Sequence, residues 1–272
     1  MTECPKVSVI MGVFNCKETL PQAIESIRQQ TYPNWELILC DDGSSDGTYA
    51  VAKSYAEKDP QRIVLLRNDT NRKLAYTLNR CLSVASGDLI ARMDGDDVSH
   101  SDRFEKQVAF LKNHPDLRLV GTDMRCFDAS GLHGIRHAAE HPDRFTLKNR
   151  SPFFHATVMT YKSVYDTLGG YSVSERAVRA EDLELWFRFF HEGFKGDNIP
   201  EALYDVREDY ETLKRRTAKD RMNVVRLKAW GFRLLGFPRR WLIKPALTAV
   251  FKSCVPAFVI RIIHRRRGFG GA

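Results

Sequence analysis

Polar and apolar positions alternate along the first hundred residues in two different periods. Val7-Ser-Val-Ile-Met is a short β-branched run that stops at Gly12, and Thr19 to Gln30 places Leu20, Ala23, Ile24 and Ile27 at helical spacing behind a Thr19/Pro21 start signal. The same alternation repeats. Trp35 to Cys40 predicts a second strand, Thr48 to Glu57 a helix, Arg62 to Leu66 a third strand, Leu74 to Ala85 a third helix and Asp88 to Met93 a fourth strand. Strands alternating with helices imply right-handed βαβ units, hence an α/β fold around a mostly parallel sheet. Ligands of such sheets bind beyond the carboxyl ends of the strands. Here those ends carry Gly12-Val-Phe-Asn15, Asp41-Asp42 and Asp94-Gly-Asp-Asp97, so the three loops are expected to meet at one cleft.

From Pro142 the pattern is mixed: a strand at Ala156 to Tyr161, a Gly169-Gly170 turn, a helix from Ala180 to Glu192 with Leu183, Trp186, Phe187 and Phe190 as its apolar face, and a strand near Ala202 to Val206. This half is expected to share the core of the first. From Thr212 the chain turns basic and helical. Sixteen Lys/Arg stand against one acid, Asp220, between Leu213 and Ala272, whereas the preceding residues hold 26 basic and 33 acidic side chains. An acidic body therefore carries a basic tail. Its longest apolar stretch, Trp241 to Ile263, is interrupted by Lys244, Lys252, Arg261, Pro245 and Pro256, which argues against a spanning helix of ~20 uncharged residues. The N-terminus lacks the pattern of a secretion signal. Six cysteines without a CxxC pair point to reduced, buried thiols rather than to zinc or a disulfide framework.

Three carboxylates within four positions, Asp94, Asp96 and Asp97, repel one another unless a cation neutralises them, and oxygen ligands of this kind suit Mg²⁺ or Mn²⁺ shared with substrate phosphates. A solvated acidic turn, with Asp97 capping a helix near Ser101, would also produce this pattern. Asp41-Asp42 could equally be turn chemistry. Glu181 and Asp182 open a helix, where carboxylates also complement the helix dipole. His155 reads first as a packed or supporting histidine.

Together these loops resemble the family 2 glycosyltransferases of the GT-A fold, over about residues 5–207. The resemblance rests on four segments in order: Val7-Ser-Val-Ile-Met-Gly-Val-Phe-Asn15, Asp41-Asp-Gly-Ser-Ser-Asp-Gly-Thr48, Ala91-Arg-Met-Asp-Gly-Asp-Asp97 and Ala180-Glu-Asp-Leu-Glu-Leu-Trp-Phe-Arg188. It implies a nucleotide-sugar site at Val13, Phe14, Asn15, Asp42, Asp94 and Gly95, with Phe14 and Asp42 at the base and Asp94 near the ribose. It implies that Asp96, together with Asp97, binds Mn²⁺ or Mg²⁺ bridging the donor diphosphate. Asp182 would be the general base, with His155, Glu181 and Trp186 on the acceptor side. Arg103-Phe-Glu-Lys-Gln-Val-Ala-Phe-Leu, Leu119-Val-Gly-Thr-Asp and Phe154-His-Ala-Thr-Val-Met look like the subgroup that builds bacterial capsule, exopolysaccharide and O-antigen units on polyprenyl diphosphate.

The expected organisation is thus a GT-A domain over 1–211 (nucleotide half about 5–100, acceptor half about 101–211) and a basic amphipathic tail over 212–272. The expected activity is inverting transfer of a hexose from a UDP-sugar to a lipid-linked saccharide. Trp230, Phe232, Leu234, Leu235, Phe237, Trp241 and Phe251, interleaved with cations, would place the tail on an anionic membrane at the cytoplasmic face of the bacterial inner membrane. No nucleic-acid partner is expected. Transfer to polyprenyl phosphate and a non-catalytic sugar-nucleotide-binding module are the alternatives. Two departures stand out: Asn71-Arg-Lys-Leu74 puts charge where many relatives have a glycine, and Val206 replaces an aromatic or polar residue before Arg207.

Overall fold

The computed structural model describes residues 4–208 and 217–254. Its first half follows the alternation read from the sequence: β1 (Val7–Val13), α1 (Leu20–Arg28), β2 (Trp35–Asp41), α2 (Thr48–Lys58), β3 (Ile63–Arg67), α3 (Leu74–Val84) and β4 (Leu89–Arg92). The order β3-β2-β1-β4 is parallel throughout, with Val13 beside Asp41 and Ile10 beside Arg92. That register puts the carboxyl ends of β1, β2 and β4 side by side.

The second half extends the same sheet. β5 (Val98–Ser99), α4 (Arg103–Asn113), β6 (Leu119–Asp128), β7 (Gly131–Arg136), β8 (Met159–Tyr161), α5 (Lys162–Leu168), α6 (Glu181–His191) and β9 (Gly196–Arg207) continue the order as β4-β8-β6-β9-β5, with β7 paired to β6. β8 runs antiparallel to both β4 and β6, so it joins the two halves. The strand expected over Ala156 to Tyr161 is shorter, because residues His155–Thr157 form a 3₁₀ turn first.

The parallel strands are buried on both faces, which explains their nearly continuous apolar runs. Val7, Val9 and Met11 face α1 and α4, while Ile10, Ile38 and Ile90 face Leu78 and Cys81 of α3 and Leu185, Trp186 and Phe189 of α6. The buried face of α6 differs from the expected one: Leu185 and Phe189 are inside, and Leu183 and Phe190 only partly so.

After residue 217 come α7 (Ala218–Leu234) and α8 (Ile243–Cys254). α7 lies on α6. Phe232 is 1% exposed and packs edge-on to Phe187, and Trp230 meets the same ring. Phe232, Leu235 and Phe237 were expected at a membrane interface; they are buried because the aromatic face of α6 offers them a dry partner. The boundary expected at 211/212, and the parts of the basic tail over 212–216 and 255–272, lie outside the described residues.

Candidate active site

The loops after β1, β2 and β4 are stitched together. The Asn15 backbone N–H donates to Ser44 Oγ (3.0 Å), Ser45 N–H donates back to Asn15 Oδ1 (3.0 Å), and Cys16 N–H donates to Thr48 Oγ1 (2.9 Å). Thr19 Oγ1 donates to the Gly95 carbonyl (3.0 Å), tying α1 to the aspartate loop rather than capping its own helix. Gly95 has no room for a side chain, since a Cβ would lie 2.8 Å from Val13 Cγ1. Phe14 stands 47% exposed at the end of β1, an open aromatic face beside Asn15.

Asp42 is 4% exposed, and its carboxylate accepts from Asn68 Nδ2 (2.7 Å), Arg72 N–H (2.7 Å) and Lys73 N–H (2.9 Å). It therefore holds the loop between β3 and α3 over the strand ends. Lys73 sits at φ 72°, ψ 161°, a region almost confined to glycine. The non-glycine residues with positive φ among those described are Asn15, Lys73 and Arg179, and all three lie in loops around this cleft. Strain of this kind collects at ligand sites, where the surrounding bonds enforce it.

In the third loop, Arg92 is buried and its guanidinium donates to Asp94 Oδ1 (2.6 Å) and to the Met93 carbonyl. Burial opposes the arginine's charge, but Asp94, Tyr171 and Tyr204 more than offset it and raise its pKa. Asp96 is at the surface of the loop, yet ringed by protein on the other sides. That desolvation, with Asp94 added, pushes its carboxyl up to about 6. Asp97 is 3% exposed, and its Oδ1 accepts from the Arg207 backbone N–H (2.8 Å). Burial and the two neighbouring aspartates drive its pKa well above the ordinary carboxylate range. The Arg207 side chain closes the loop from outside, donating to the Asp96 carbonyl (3.1 Å) and to Gln22 (2.9 Å).

Among the described residues, no group of three or more His, Cys, Asp or Glu could hold a metal ion by itself. Mg²⁺ and Mn²⁺ at phosphate sites need fewer, usually one or two carboxylates plus the substrate's oxygens. Asp96, with an open carboxylate whose charge is disfavoured until a cation arrives, fits that role; Asp97, spent on the backbone of β9, is set back from it.

The opposite wall is the start of α6. A cleft of about 520 Å³ lies between Glu181 and the Arg72–Tyr76 segment, with Ser172, Ser174 and Arg179 on its rim. Its size falls in the range of small-molecule sites. Burial, with Asp182 next in effect, pushes Glu181 up to about 7, and Asp94 and Arg92 also act on it. Glu181 thus lies within electrostatic reach of Asp94 in the aspartate loop. Behind them, His155 Nε2 meets Tyr171 OH (2.8 Å), which meets Tyr165 OH (2.8 Å). Burial, then the charge of Arg92, hold His155 well below the usual imidazole range, so it is neutral.

The family model for glycosyl transferase family 2 matches residues 8–181, which is most of the chain and spans all three strand-end loops up to Glu181. The chain belongs to glycosyl transferase family 2. It is 47% identical to EpsE of Bacillus subtilis (strain 168) over 270 residues, covering 98% of this chain and 96% of EpsE. It is 31% identical to an Escherichia coli UDP-Gal:alpha-D-GlcNAc-diphosphoundecaprenol beta-1,3-galactosyltransferase, over 79% of this chain and 78% of that one. Its fold matches the mannosyltransferase PcManGT from Pyrobaculum calidifontis, solved with GDP-Man and Mn²⁺, at TM-score 0.63 and 18% identity, over 99% of this chain and 82% of that one.

In this glycosyltransferase the expected donor residues Val13, Phe14, Asn15, Asp42, Asp94 and Gly95 come together, though not all offer a side chain to a ligand. Val13 is 2% exposed and contributes its carbonyl, which accepts from Asp42 N–H (2.8 Å). Trp186 departs furthest from expectation. It is 1% exposed, packed edge-on to Phe153 and His155, with its indole N–H unpartnered among the described residues, so it offers no surface to a ligand. The helix after the aspartate loop starts at Arg103 with Asp102 as its cap residue, so Asp97 does not cap it. Sequence reasoning missed Arg92, Tyr171 and Arg179. Arg92 was visible inside the Ala91-Arg-Met-Asp segment, as an arginine in an otherwise apolar strand; Tyr171 and Arg179 carry no such signal.

Proposed function

We propose that this chain is an inverting glycosyltransferase of bacterial surface-polysaccharide synthesis, moving a hexose from a UDP-sugar to a saccharide carried on polyprenyl diphosphate. The observation that carries the reading is that Glu181 of the Glu181-Asp182 pair lines a cleft beside Arg72 and Lys73 and lies close enough to Asp94 of the strand-end loop for the two charges to act on each other. UDP as donor nucleotide and the lipid-linked acceptor are supported by the Escherichia coli relative's name, and a divalent ion by the Mn²⁺ in the archaeal neighbour.

Asp96, with Asp94 adjacent, would hold Mn²⁺ or Mg²⁺ against the donor diphosphate, where the ion supplies charge stabilisation to the departing nucleotide. The chain's own groups do the rest. Phe14 offers a stacking face for the base, and Arg72 and Lys73 bring cations to the rim. Of the two adjacent carboxyls, Glu181 is pushed up to about 7 by burial and by Asp182, so it holds its proton to a higher pH than an ordinary glutamate. Asp182 is then the base that takes the acceptor hydroxyl proton as the oxygen attacks the anomeric carbon from the face opposite the leaving diphosphate. Displacement in one step turns an α-linked donor into a β-linked product. The work takes place at the cytoplasmic face of the membrane; no helix of the described residues is long and apolar enough to cross it.

The test is transfer from a panel of UDP-hexoses to a synthetic GlcNAc-diphosphate-alkyl acceptor, with the product's anomeric configuration read by NMR. A β-linked product is expected, with Asp182→Asn lowering kcat by about 10²–10⁴-fold at unchanged UDP affinity. An α-linked product, or full turnover by Asp182→Asn, would sink the mechanism.

A further inference from the structure

A second cleft, of about 220 Å³, opens between α7 and α8 and shares Arg179 with the nucleotide-side cleft. It is smaller than the roughly 300–1,000 Å³ that enclose a whole drug-sized ligand, and suits a head group. Its lining is cationic: Lys148, Arg179, Arg221, Lys228 and Lys244 surround one acid, Asp220. Asp220 is already committed, accepting from Thr217 N–H (2.8 Å) and from Arg179 (3.0 Å). Lys228 is half-buried and its Nζ donates only to neutral carbonyls, those of Leu147 (3.2 Å) and Lys148 (3.4 Å). Four cations are thus gathered around a cavity without a matching acid in its wall, an arrangement that a ligand of more than one negative charge relieves.

The remainder of the lining is the polar Asn149 and Thr248 and the apolar Val224, Val225, Pro245 and Ala249. Beside it α8 exposes Ile243, Leu247, Val250 and Phe251, each more than half accessible and spaced along one helix face. Among the described residues no helix is long and apolar enough to cross a membrane, and an exposed apolar helix face of this kind suits lying along an interface.

We propose that the α7–α8 cleft binds the diphosphate end of the lipid that carries the acceptor, with the hydrocarbon chain running along the Ile243–Phe251 face. Hydrocarbon and multiple negative charge, side by side, are what this surface complements. Arg179, held at positive φ directly before Ala180-Glu181, links the cleft to the reaction site, so the saccharide end of the same acceptor points toward the acidic pair. The inference rests on the reading of a lipid-linked acceptor.

Sedimentation of the full-length protein with phosphatidylcholine vesicles tests it, the vesicles containing either phosphatidylglycerol or a polyprenyl diphosphate at equal total charge. Binding is expected to be about tenfold or more tighter to the diphosphate vesicles. Arg221→Gln/Lys244→Gln should erase that preference, and Leu247→Glu/Phe251→Glu should weaken binding to both kinds of vesicle. Equal affinity for the two vesicle types, a preference surviving the Arg221/Lys244 change, or inorganic pyrophosphate binding as tightly as the lipid overturns the assignment. Titration of UDP into the same preparations keeps the two readings apart: lost lipid preference with intact UDP binding removes the lipid site alone, and the reverse removes the donor reading alone.

Discussion

Lys73 occupies a backbone region that costs a side-chain-bearing residue about 1–3 kcal/mol. It is held there by the Asp42 carboxylate and the Asn71 side chain, both accepting from its N–H. The φ is imposed by Asp42, and lysine bears the strain while placing a cation at the cleft rim. Lys73→Gly is expected to raise unfolding stability by about 1 kcal/mol, once glycine's own entropy cost is subtracted, and to weaken UDP binding. Urea denaturation and titration would show it, and a destabilised variant would contradict the clamp. Glu181 makes a second residue-scale prediction. Its folded pKa, about 7, lies above the ordinary glutamate value, so the folded state binds the proton more tightly and loses stability as pH rises from about 4.5 to 7. Glu181→Gln should therefore be more stable than the parent at pH 8, by at most about 3 kcal/mol, and no more stable at pH 4. Equal gains at both pH values would mean that the carboxyl is not desolvated. The acidic residues themselves were legible because charge crowding at strand ends is unusual. Which of them are spent internally was not. Asp42 and Asp97 look the same as Asp96 in sequence, and only the arrival of Arg72, Lys73 and Arg207 N–H groups from distant segments separates them.

Among the elements, α6 brings Glu181 to the cleft and α7 packs on α6. Gly231 lies in the last turn of α7, and a Cβ there would come within 2.3 Å of the Phe187 ring. Phe187 is fully buried and cannot step aside. Gly231→Leu is accordingly expected to lower stability by about 1–3 kcal/mol or to detach α7, seen as a lower midpoint and new protease cleavage in residues 218–254. Unchanged stability would show that α7 is not seated on α6. Elements with clean periodicity, from β1 through β4, could be read directly. β6 could not: Leu119–Asp128 mixes a glycine pressed against Asn198, a buried threonine at 122 and a charged outer part that pairs with β7, an exposed hairpin arm with Leu132 and Ile135 open to solvent. α4 has buried positions at Phe104, Gln107, Val108 and Leu111, but Arg103 and Gln107 are also buried and polar, bonding to the Arg92, Val120 and Thr157 carbonyls, which blurs the amphipathic pattern. The tail aromatics misled for the converse reason. Interleaved cations and aromatics suggest a membrane face, yet Phe232 and Phe237 turn inward, and the exposed face, Phe251 included, belongs to α8.

At the scale of the whole molecule, the acidic body and the basic C-terminal stretch divide the work: carboxylates assemble the reaction cleft, and cations gather on the helices that follow it. The account stands or falls on the cleft being a metal-assisted nucleotide-diphosphate site. The most direct measurement is calorimetric titration of UDP into the purified protein with Mn²⁺, with excess chelator, and with Asp96→Ala. Saturable binding with Mn²⁺ that disappears with either change is the predicted result. Binding that persists undiminished in chelator or in Asp96→Ala, or no binding with Mn²⁺ present, would contradict it.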